Sequence, residues 1–133
     1  MIAIKKRILI VEDEPSVLKF MRLRLAHEGY LVFCAEDGEE ALREAQVDRP
    51  DLILLDLQLP KLDGYLVCRR LREQPSTARI PIIVVTASEE QYIRLADRCV
   101  ELGIQDAIKK PFRTQELLEK IDKVFGKEKR THE

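Results

Sequence analysis

The sequence predicts an α/β fold in which one parallel sheet of five strands carries helices on both faces. Short aliphatic runs alternate five times along the chain with segments of helical periodicity. The run LILL at residues 52–55 is apolar on both faces, as in a parallel strand covered by helices. Right-handed crossovers between such βα units put helices on both faces of the sheet. This pattern alone leaves the strand order open.

The first βα unit starts with a predicted strand at residues 7–11. Pro15 suits the first position of the following helix, where its missing N–H costs nothing, and the helix runs over residues 15–28. Gly29 ends it. The apolar stripe of this helix comprises Val17, Leu18, Met21 and Leu25.

The second unit joins a strand at residues 31–35 to a short helix. Asp37 and Glu40 form a capping box for this helix, which ends before Pro50. The third strand, residues 52–55, then delivers Asp56 to its carboxyl end.

The third and fourth helices also begin at capping residues. Asp63 caps a helix with Val67, Cys68 and Leu71 inward, and a polar segment leads into the fourth strand at residues 82–85. Ser88 with Gln91 forms a capping box for the fourth helix. The residues predicted to face inward there are Ile93, Ala96 and Val100.

The last unit has a strand at residues 105–109 and a helix at residues 114–125. Its predicted apolar face comprises Leu117, Leu118, Ile121, Val124 and Phe125. Gly126 precedes the charged tail KEKRTHE.

Polar side chains follow four of the five predicted strands. Glu12 and Asp13 follow the first, Asp56 the third, Thr86 the fourth and Lys110 the fifth. Because the carboxyl ends of parallel strands meet at one edge, these groups are expected to share a crevice. Three carboxylates there repel one another unless a cation lies among them, and oxygen ligands in small number favour Mg²⁺. Three carboxylates, Mg²⁺ and one lysine sum to zero formal charge, so the site can accept a phosphoryl group.

Four strings in this order resemble the receiver domain of bacterial two-component response regulators. They are VEDEP at residues 11–15, LLDLQLPKLDG at 54–64, IPIIVVTA at 80–87 and KKPF at 109–112. The resemblance implies a flavodoxin-like doubly wound sheet of order 2-1-3-4-5 with five helices. It also implies a receiver domain over residues 1–126, followed by the tail at 127–133.

By motif, the resemblance implies that Asp56 accepts a phosphoryl group from a histidine kinase or a histidine phosphotransfer protein. It further implies that Mg²⁺ is held by Glu12, Asp13, Asp56 and the backbone carbonyl of Gln58. The phosphorylated state is expected to change association with a partner or with a second copy, through a face formed by the fourth helix, fifth strand and fifth helix.

Two more groups carry over by motif. Thr86 is expected to donate its hydroxyl to a phosphoryl oxygen, and Lys110, rather than Lys109, to pair with another. In-line transfer needs little beyond positioning and charge neutralisation. The chain is therefore not expected to be an enzyme, apart from Mg²⁺-dependent self-phosphorylation and autodephosphorylation.

Three positions depart from the family pattern. Glu12 stands where many members have Asp, and the segment 86–103 is slightly longer than usual. Ala107 stands where an aromatic residue usually reports phosphorylation to the surface. A methyl group has no rotamer to report, so signalling is expected to use the loop after Thr86 and the fourth helix.

Phe20 and Leu23 lie off the apolar stripe of the first helix and are predicted to flank the crevice, where a phosphodonor could dock. The alternative is that Phe20 only edges the core.

Two other functional classes require residues that this sequence does not have at the corresponding positions. A haloacid-dehalogenase-type hydrolase needs a second Asp two residues after Asp56, and Gln58 stands there. A dinucleotide module needs a Gly-rich turn where the acidic run 12–14 stands. A non-phosphorylated, receiver-like interaction module stays open as the alternative.

The amino-acid composition bears on which partners and which compartment are expected. The 133 residues carry 23 basic and 24 acidic side chains, for a formal charge of -1, so no global field draws the chain to nucleic acid or an anionic membrane. The apolar run 1–4 is too short for a signal peptide or a span, which favours a cytoplasmic protein. The cysteines, Cys34, Cys68 and Cys99, are widely spaced and expected to be structural.

Overall fold

A computed structural model of the chain shows strands and helices in alternation, and it describes residues 4–126 except the side chains of Ala96, Cys99 and Val100. The strands are β1 (Arg7–Val11), β2 (Leu31–Ala35), β3 (Leu52–Asp56), β4 (Ile82–Thr86) and β5 (Ile104–Lys109). The helices are α1 (Pro15–His27), α2 (Gly38–Asp48), α3 (Gly64–Glu73), α4 (Glu89–Leu102) and α5 (Thr114–Val124). The predicted charged tail at 127–133 lies outside the described residues.

The five strands form one sheet of order β2-β1-β3-β4-β5, and every neighbouring pair is parallel. The strand order that the resemblance implied is therefore confirmed. The chain leaves β1 toward β2 and then crosses to the other side of β1, so the topology reverses between β1 and β3. Ligands of open parallel sheets bind at such a reversal, outside the carboxyl ends of the strands.

Alternate residues of the central strands enter two separate cores. Leu52 and Leu54 lie in the core under α1 and α5, whereas Ile53 and Leu55 lie in the core under α2, α3 and α4. All four are buried, which explains the unbroken apolar run in the sequence. Within residues 4–126, none of the helices has both the length and the hydrophobicity that crossing a bilayer requires.

Helix starts follow the predicted capping residues. Pro15 occupies the first turn of α1. The Asp37 side chain accepts a hydrogen bond from the Glu40 amide at 2.8 Å, and that of Asp63 accepts one from the Tyr65 amide at 2.7 Å. These caps satisfy amides that would otherwise lack partners at the helix starts.

The prediction that Ile93 faces inward is wrong, because its side chain is 67 % exposed. Among the α4 side chains that the structure describes, those of Leu95 and Leu102 are buried, and they pack in the core beneath α2, α3 and α4. The side chains of Ala96 and Val100, predicted to face inward with Ile93, lie outside the described part of the chain. Apolar residues occur on several sides of α4, so periodicity alone did not fix which side is buried.

Arg72 of α3 fastens the far end of α4. Its guanidinium donates to the carbonyls of Leu102 at 2.8 Å and Gly103 at 2.9 Å. It also donates to the carbonyls of Ala78 at 3.0 Å and Ile80 at 2.7 Å, before β4. One side chain thus satisfies carbonyls at the end of α4 and in the connection between α3 and β4.

Candidate functional site

Three carboxylates meet where β1 and β3 end. Glu12 and Asp56 are only 2 % and 4 % exposed, while Asp13 is exposed. One oxygen from each lies within 4.8 Å of the others. Hard oxygen donors at this spacing, open to solvent on the Asp13 side, fit the way in which Mg²⁺ is held by few carboxylates and several waters. The sequence predicted this convergence because the carboxyl ends of parallel strands meet at one edge of the sheet.

A lysine ammonium lies between the two buried carboxylates. Lys110 Nζ is 2.6 Å from Glu12 Oε1 and 3.0 Å from Asp56 Oδ2. Its backbone amide also donates to the Thr86 carbonyl at 2.8 Å, which fixes the chain just after β5. The ammonium is thus the cation that offsets the repulsion between the carboxylates in this arrangement.

The pKa shifts at the site agree with this geometry. Burial raises the pKa of Glu12; the hydrogen bond from Lys110 opposes the rise, and the nearby Asp56 charge adds to it. Burial alone would lower the pKa of Lys110, but its hydrogen bonds to Glu12 and Asp56 prevail and leave that pKa raised. The ammonium therefore stays charged, and ionised Glu12 depends on a cation beside it.

The backbone after β3 orients Asp56. The amide of Gln58 donates to Asp56 Oδ1 at 2.8 Å, while Oδ2 faces Lys110. The Leu57 amide donates to the Val85 carbonyl at 3.0 Å, which extends the hydrogen bonding between β3 and β4 by one residue. Both carboxylate oxygens are thereby fixed at the sheet edge. A ligand role for the Gln58 carbonyl stays a prediction.

Thr86 closes the site at the end of β4 and is fully buried. Its hydroxyl donates to Gln91 Oε1 at 2.9 Å and accepts from the Ser88 amide at 3.1 Å. Sequence reasoning assigned Gln91 only to a capping box. Half of that box exists, since the Gln91 amide donates to Ser88 Oγ at 3.2 Å, but the Gln91 side chain turns to Thr86 because Thr86 already occupies the Ser88 amide.

The two consecutive lysines separate in space. Lys109 forms a surface ion pair with Glu89 at the start of α4, whereas Lys110 enters the crevice. Side chains alternate between the faces of an extended strand, so neighbouring residues cannot both point to one site.

An apolar groove of about 430 Å³ lies beside the crevice. Phe20 and Leu23 of α1 are 55 % and 56 % exposed, so about half of each side chain lies at the surface. Phe20 lines the groove, and sequence reasoning did not identify the residues across from it. The other lining residues include Val17, Met21, Ala87, Pro111 and Phe112.

Residues 8–122 match the family described as the response regulator receiver domain. The chain belongs to this family. The receiver domain is 41 % identical over 120 residues to the alkaline phosphatase synthesis transcriptional regulatory protein PhoP of Bacillus subtilis, an alignment that covers 90 % of this chain and 48 % of PhoP. It is also 41 % identical over 122 residues to the response regulator ArlR of Staphylococcus aureus, covering 92 % of this chain and 53 % of ArlR.

Solved receiver domains share the fold. The receiver domain of the sensor histidine kinase PA1611 from Pseudomonas aeruginosa, with a magnesium ion coordinated in its active site cleft, superposes with a TM-score of 0.82 at 36 % identity. That alignment covers 92 % of this chain and 99 % of the other. The chemotaxis response regulator CheY4 of Vibrio cholerae gives a TM-score of 0.83 at 28 % identity, covering 91 % of this chain and 99 % of CheY4. The receiver-domain prediction and its flavodoxin-like architecture are thus confirmed, and the chain spans about half the length of the curated relatives it matches.

Proposed function

We propose that Asp56 is the phosphoacceptor of this receiver domain in a two-component system or phosphorelay. The supporting observation is the placement of the Asp56 carboxylate at the end of β3, with Glu12 and Asp13 beside it and Lys110 Nζ 3.0 Å from Oδ2. A buried acid in this setting has a cation on one side and a fixed backbone amide on the other.

These positions support the following reaction. An Asp56 oxygen attacks phosphorus as the bond between phosphorus and a donor histidine nitrogen breaks, and the imidazole leaves with the electron pair. Lys110 exchanges a carboxylate for a phosphoryl oxygen, and the Thr86 hydroxyl donates to another. Holding the attacking oxygen and the leaving nitrogen in line with phosphorus, with these donors on the other oxygens, supplies most of the catalysis that phosphoryl transfer requires. Slow hydrolysis of the acyl phosphate would return the domain to its starting state.

Mg²⁺ is the proposed cofactor, held by Glu12, Asp13 and Asp56 with the Gln58 carbonyl. When bound, it would neutralise the negative charge that accumulates on the transferred group. The exposed Asp13 leaves that side of the site open to water and to a phosphoryl oxygen. The magnesium ion in the PA1611 receiver domain supports the same assignment.

The proposed phosphodonor is a histidine kinase or a histidine phosphotransfer protein, and it would dock along α1. The groove beside the crevice presents Phe20, Pro111 and Phe112 next to Lys110, so an apolar helix seated there would bring its histidine close to Asp56.

The output we propose is a change in self-association on the face formed by α4, β5 and α5. The α4 helix exposes Tyr92 and Ile93. Ion pairs connect Lys109 of β5 to α4, and Lys120 of α5 to β5. Elements linked this way would shift together. We further propose a receiver domain over residues 1–126 that acts in the cytoplasm and does not itself bind nucleic acid.

Intact-mass spectrometry after incubation with acetyl phosphate, with and without Mg²⁺, tests the phosphoacceptor assignment. We expect the mass of one phosphoryl group to be gained only with Mg²⁺. Asp56→Asn should abolish the gain and Asp13→Ala should reduce it severely at low Mg²⁺. Asp63→Asn is the matched control, since it changes a nearby loop acid in the same way and should leave the gain intact.

Equal labelling of Asp56→Asn and the unaltered protein would exclude Asp56 as the acceptor. No labelling of the folded, unaltered protein by acetyl phosphate or phosphoramidate would instead support the non-phosphorylated interaction module.

A further inference from the structure

The hydroxyl group of Thr86 has a single proton, and that proton is already in use. Thr86 donates it to Gln91 Oε1 at 2.9 Å, and its oxygen accepts from the Ser88 amide at 3.1 Å. Thr86 is fully buried, so no water reaches its hydroxyl while Gln91 is in place. Donation to a phosphoryl oxygen therefore requires that the bond to Gln91 be broken.

The two partners differ in what the break costs them. Gln91 is half-buried at the start of α4, so its side-chain oxygen can bond to water after release. The Thr86 hydroxyl exchanges Gln91 for the phosphoryl oxygen as its acceptor. The exchange therefore replaces one neutral hydrogen bond by one to a charged phosphoryl oxygen, and its balance depends on how strongly Gln91 competes.

We propose that Gln91 is a positioning residue that competes with the phosphoryl group for the Thr86 proton and so sets the fraction of phosphorylated molecules in which the start of α4 is released. This inference rests on the proposed phosphoacceptor function. It gives a route for signalling that does not use position 107, where the alanine methyl has no alternative rotamer.

The contacts at the two ends of α4 determine which part of the helix moves on release. The Tyr65 hydroxyl donates to the Gln91 carbonyl at 3.4 Å, and the Arg98 guanidinium lies 4.5 Å from the centre of the Tyr65 ring. At the other end, Arg72 holds the carbonyl of Leu102 at 2.8 Å. Because the far end of α4 is fastened, the first turn is the part that can shift against α3.

Beryllofluoride with Mg²⁺ mimics the phosphoryl group and allows the competition to be measured as an affinity. In Gln91→Met, a side chain of similar size cannot accept the proton. One neutral hydrogen bond changes an equilibrium constant by roughly two- to tenfold, so we expect Gln91→Met to bind beryllofluoride tighter by about that factor. Isothermal titration at fixed Mg²⁺ gives the affinities.

Two further variants separate competition from a loosened helix. Ser88→Ala removes the cap that the Ser88 hydroxyl provides to the Gln91 amide but keeps the Ser88 amide and the Thr86–Gln91 bond. It weakens the start of α4 and should leave the affinity unchanged. In a Thr86→Val background there is no proton to compete for, so Gln91→Met should then have no effect.

Nuclear magnetic resonance gives a second, ligand-free readout. We expect the backbone amides of residues 88–92 in Gln91→Met to move part of the way toward their positions in the beryllofluoride-bound, unaltered protein. The inference would be overturned if Gln91→Met and Ser88→Ala gained equally in affinity for beryllofluoride. It would also be overturned if Gln91→Met raised that affinity as much in the Thr86→Val background as in the unaltered protein. Unchanged affinity in Gln91→Met while the unaltered protein binds beryllofluoride would overturn it too, whereas failure of the unaltered protein to bind would overturn the proposed function with it.

Discussion

Replacing Lys110 by Met tests whether its ammonium holds the site together in the absence of metal. The methionine keeps a flexible apolar stem and removes the charge that lies 2.6 Å from Glu12 and 3.0 Å from Asp56. Removing one partner of a buried ion pair typically costs roughly 3–5 kcal/mol. Because the Lys110 side chain is 18 % exposed, we expect the lower end, about 3 kcal/mol of unfolding free energy at pH 8.

The loss should depend on pH in a definite direction. Burial already raises the pKa of Glu12, and without the hydrogen bond from Lys110 that pKa should rise further. The folded variant then holds a proton more tightly than the unfolded chain does. The contribution of Glu12 to its stability is fully present below the unfolded pKa of this group and is lost as the pH rises through the raised folded pKa. The deficit against the unaltered protein should therefore be smaller at pH 5 than at pH 8.

Urea unfolding followed by circular dichroism, at both pH values and with or without Mg²⁺, measures these quantities. Saturating Mg²⁺ at a hundred times its dissociation constant stabilises a fold by about 2.7 kcal/mol. The gain should be larger in Lys110→Met, where no resident cation competes for the carboxylates. Lys109→Met is the matched control: its surface pair with Glu89 is worth at most about 1 kcal/mol. Equal losses in both variants, or a loss independent of pH, would refute the reasoning.

Three other outcomes are expected. Phe20→Ala and Leu23→Ala should each slow phosphoryl transfer from a cognate kinase by roughly fivefold or more while leaving labelling by acetyl phosphate intact. Time courses of both reactions measure this, and loss of both reactions would indicate a folding role instead. Arg72→Met should lower the unfolding free energy by about 2 kcal/mol because several backbone carbonyls lose a charged donor, whereas the exposed Arg69→Met should change urea midpoints little. Burial raises the pKa of the Cys34 thiol, so its alkylation by iodoacetamide, followed by peptide mass spectrometry, should still accelerate above pH 9.0, and a plateau below that pH would contradict the burial.

The sheet and the convergence of its polar residues were predictable because each rests on a local pattern. An apolar run such as residues 52–55 can only be buried on both faces, and parallel strands bring their carboxyl ends to one edge. The meeting of Glu12, Asp56 and Lys110 follows from those two facts. Strand order came from the resemblance and not from the residues, since several orders satisfy the same pattern.

The partners of individual side chains were less predictable because they depend on which neighbours are already bonded. Gln91 stands three residues after Ser88, as a capping box requires, yet its side chain bonds Thr86. The Ser88 amide is taken by Thr86, and no sequence pattern reports that competition. The prediction that Ile93 faces inward was wrong for a related reason, since burial on α4 is decided by packing against the sheet and not by periodicity alone.

Both groups that would meet a phosphoryl oxygen already have hydrogen-bond partners within the domain. The Lys110 ammonium donates to Glu12 and Asp56, and the Thr86 hydroxyl donates to Gln91 Oε1. Phosphorylation would therefore exchange existing bonds for new ones and would not fill empty positions. An exchange of this kind gives a smaller difference in free energy between two arrangements of α4 than bonds formed without any loss would give, because each new bond is offset in part by one that is lost. Since a ligand shifts an equilibrium only by the difference in its binding to the two states, this smaller difference moves α4 less far toward one arrangement.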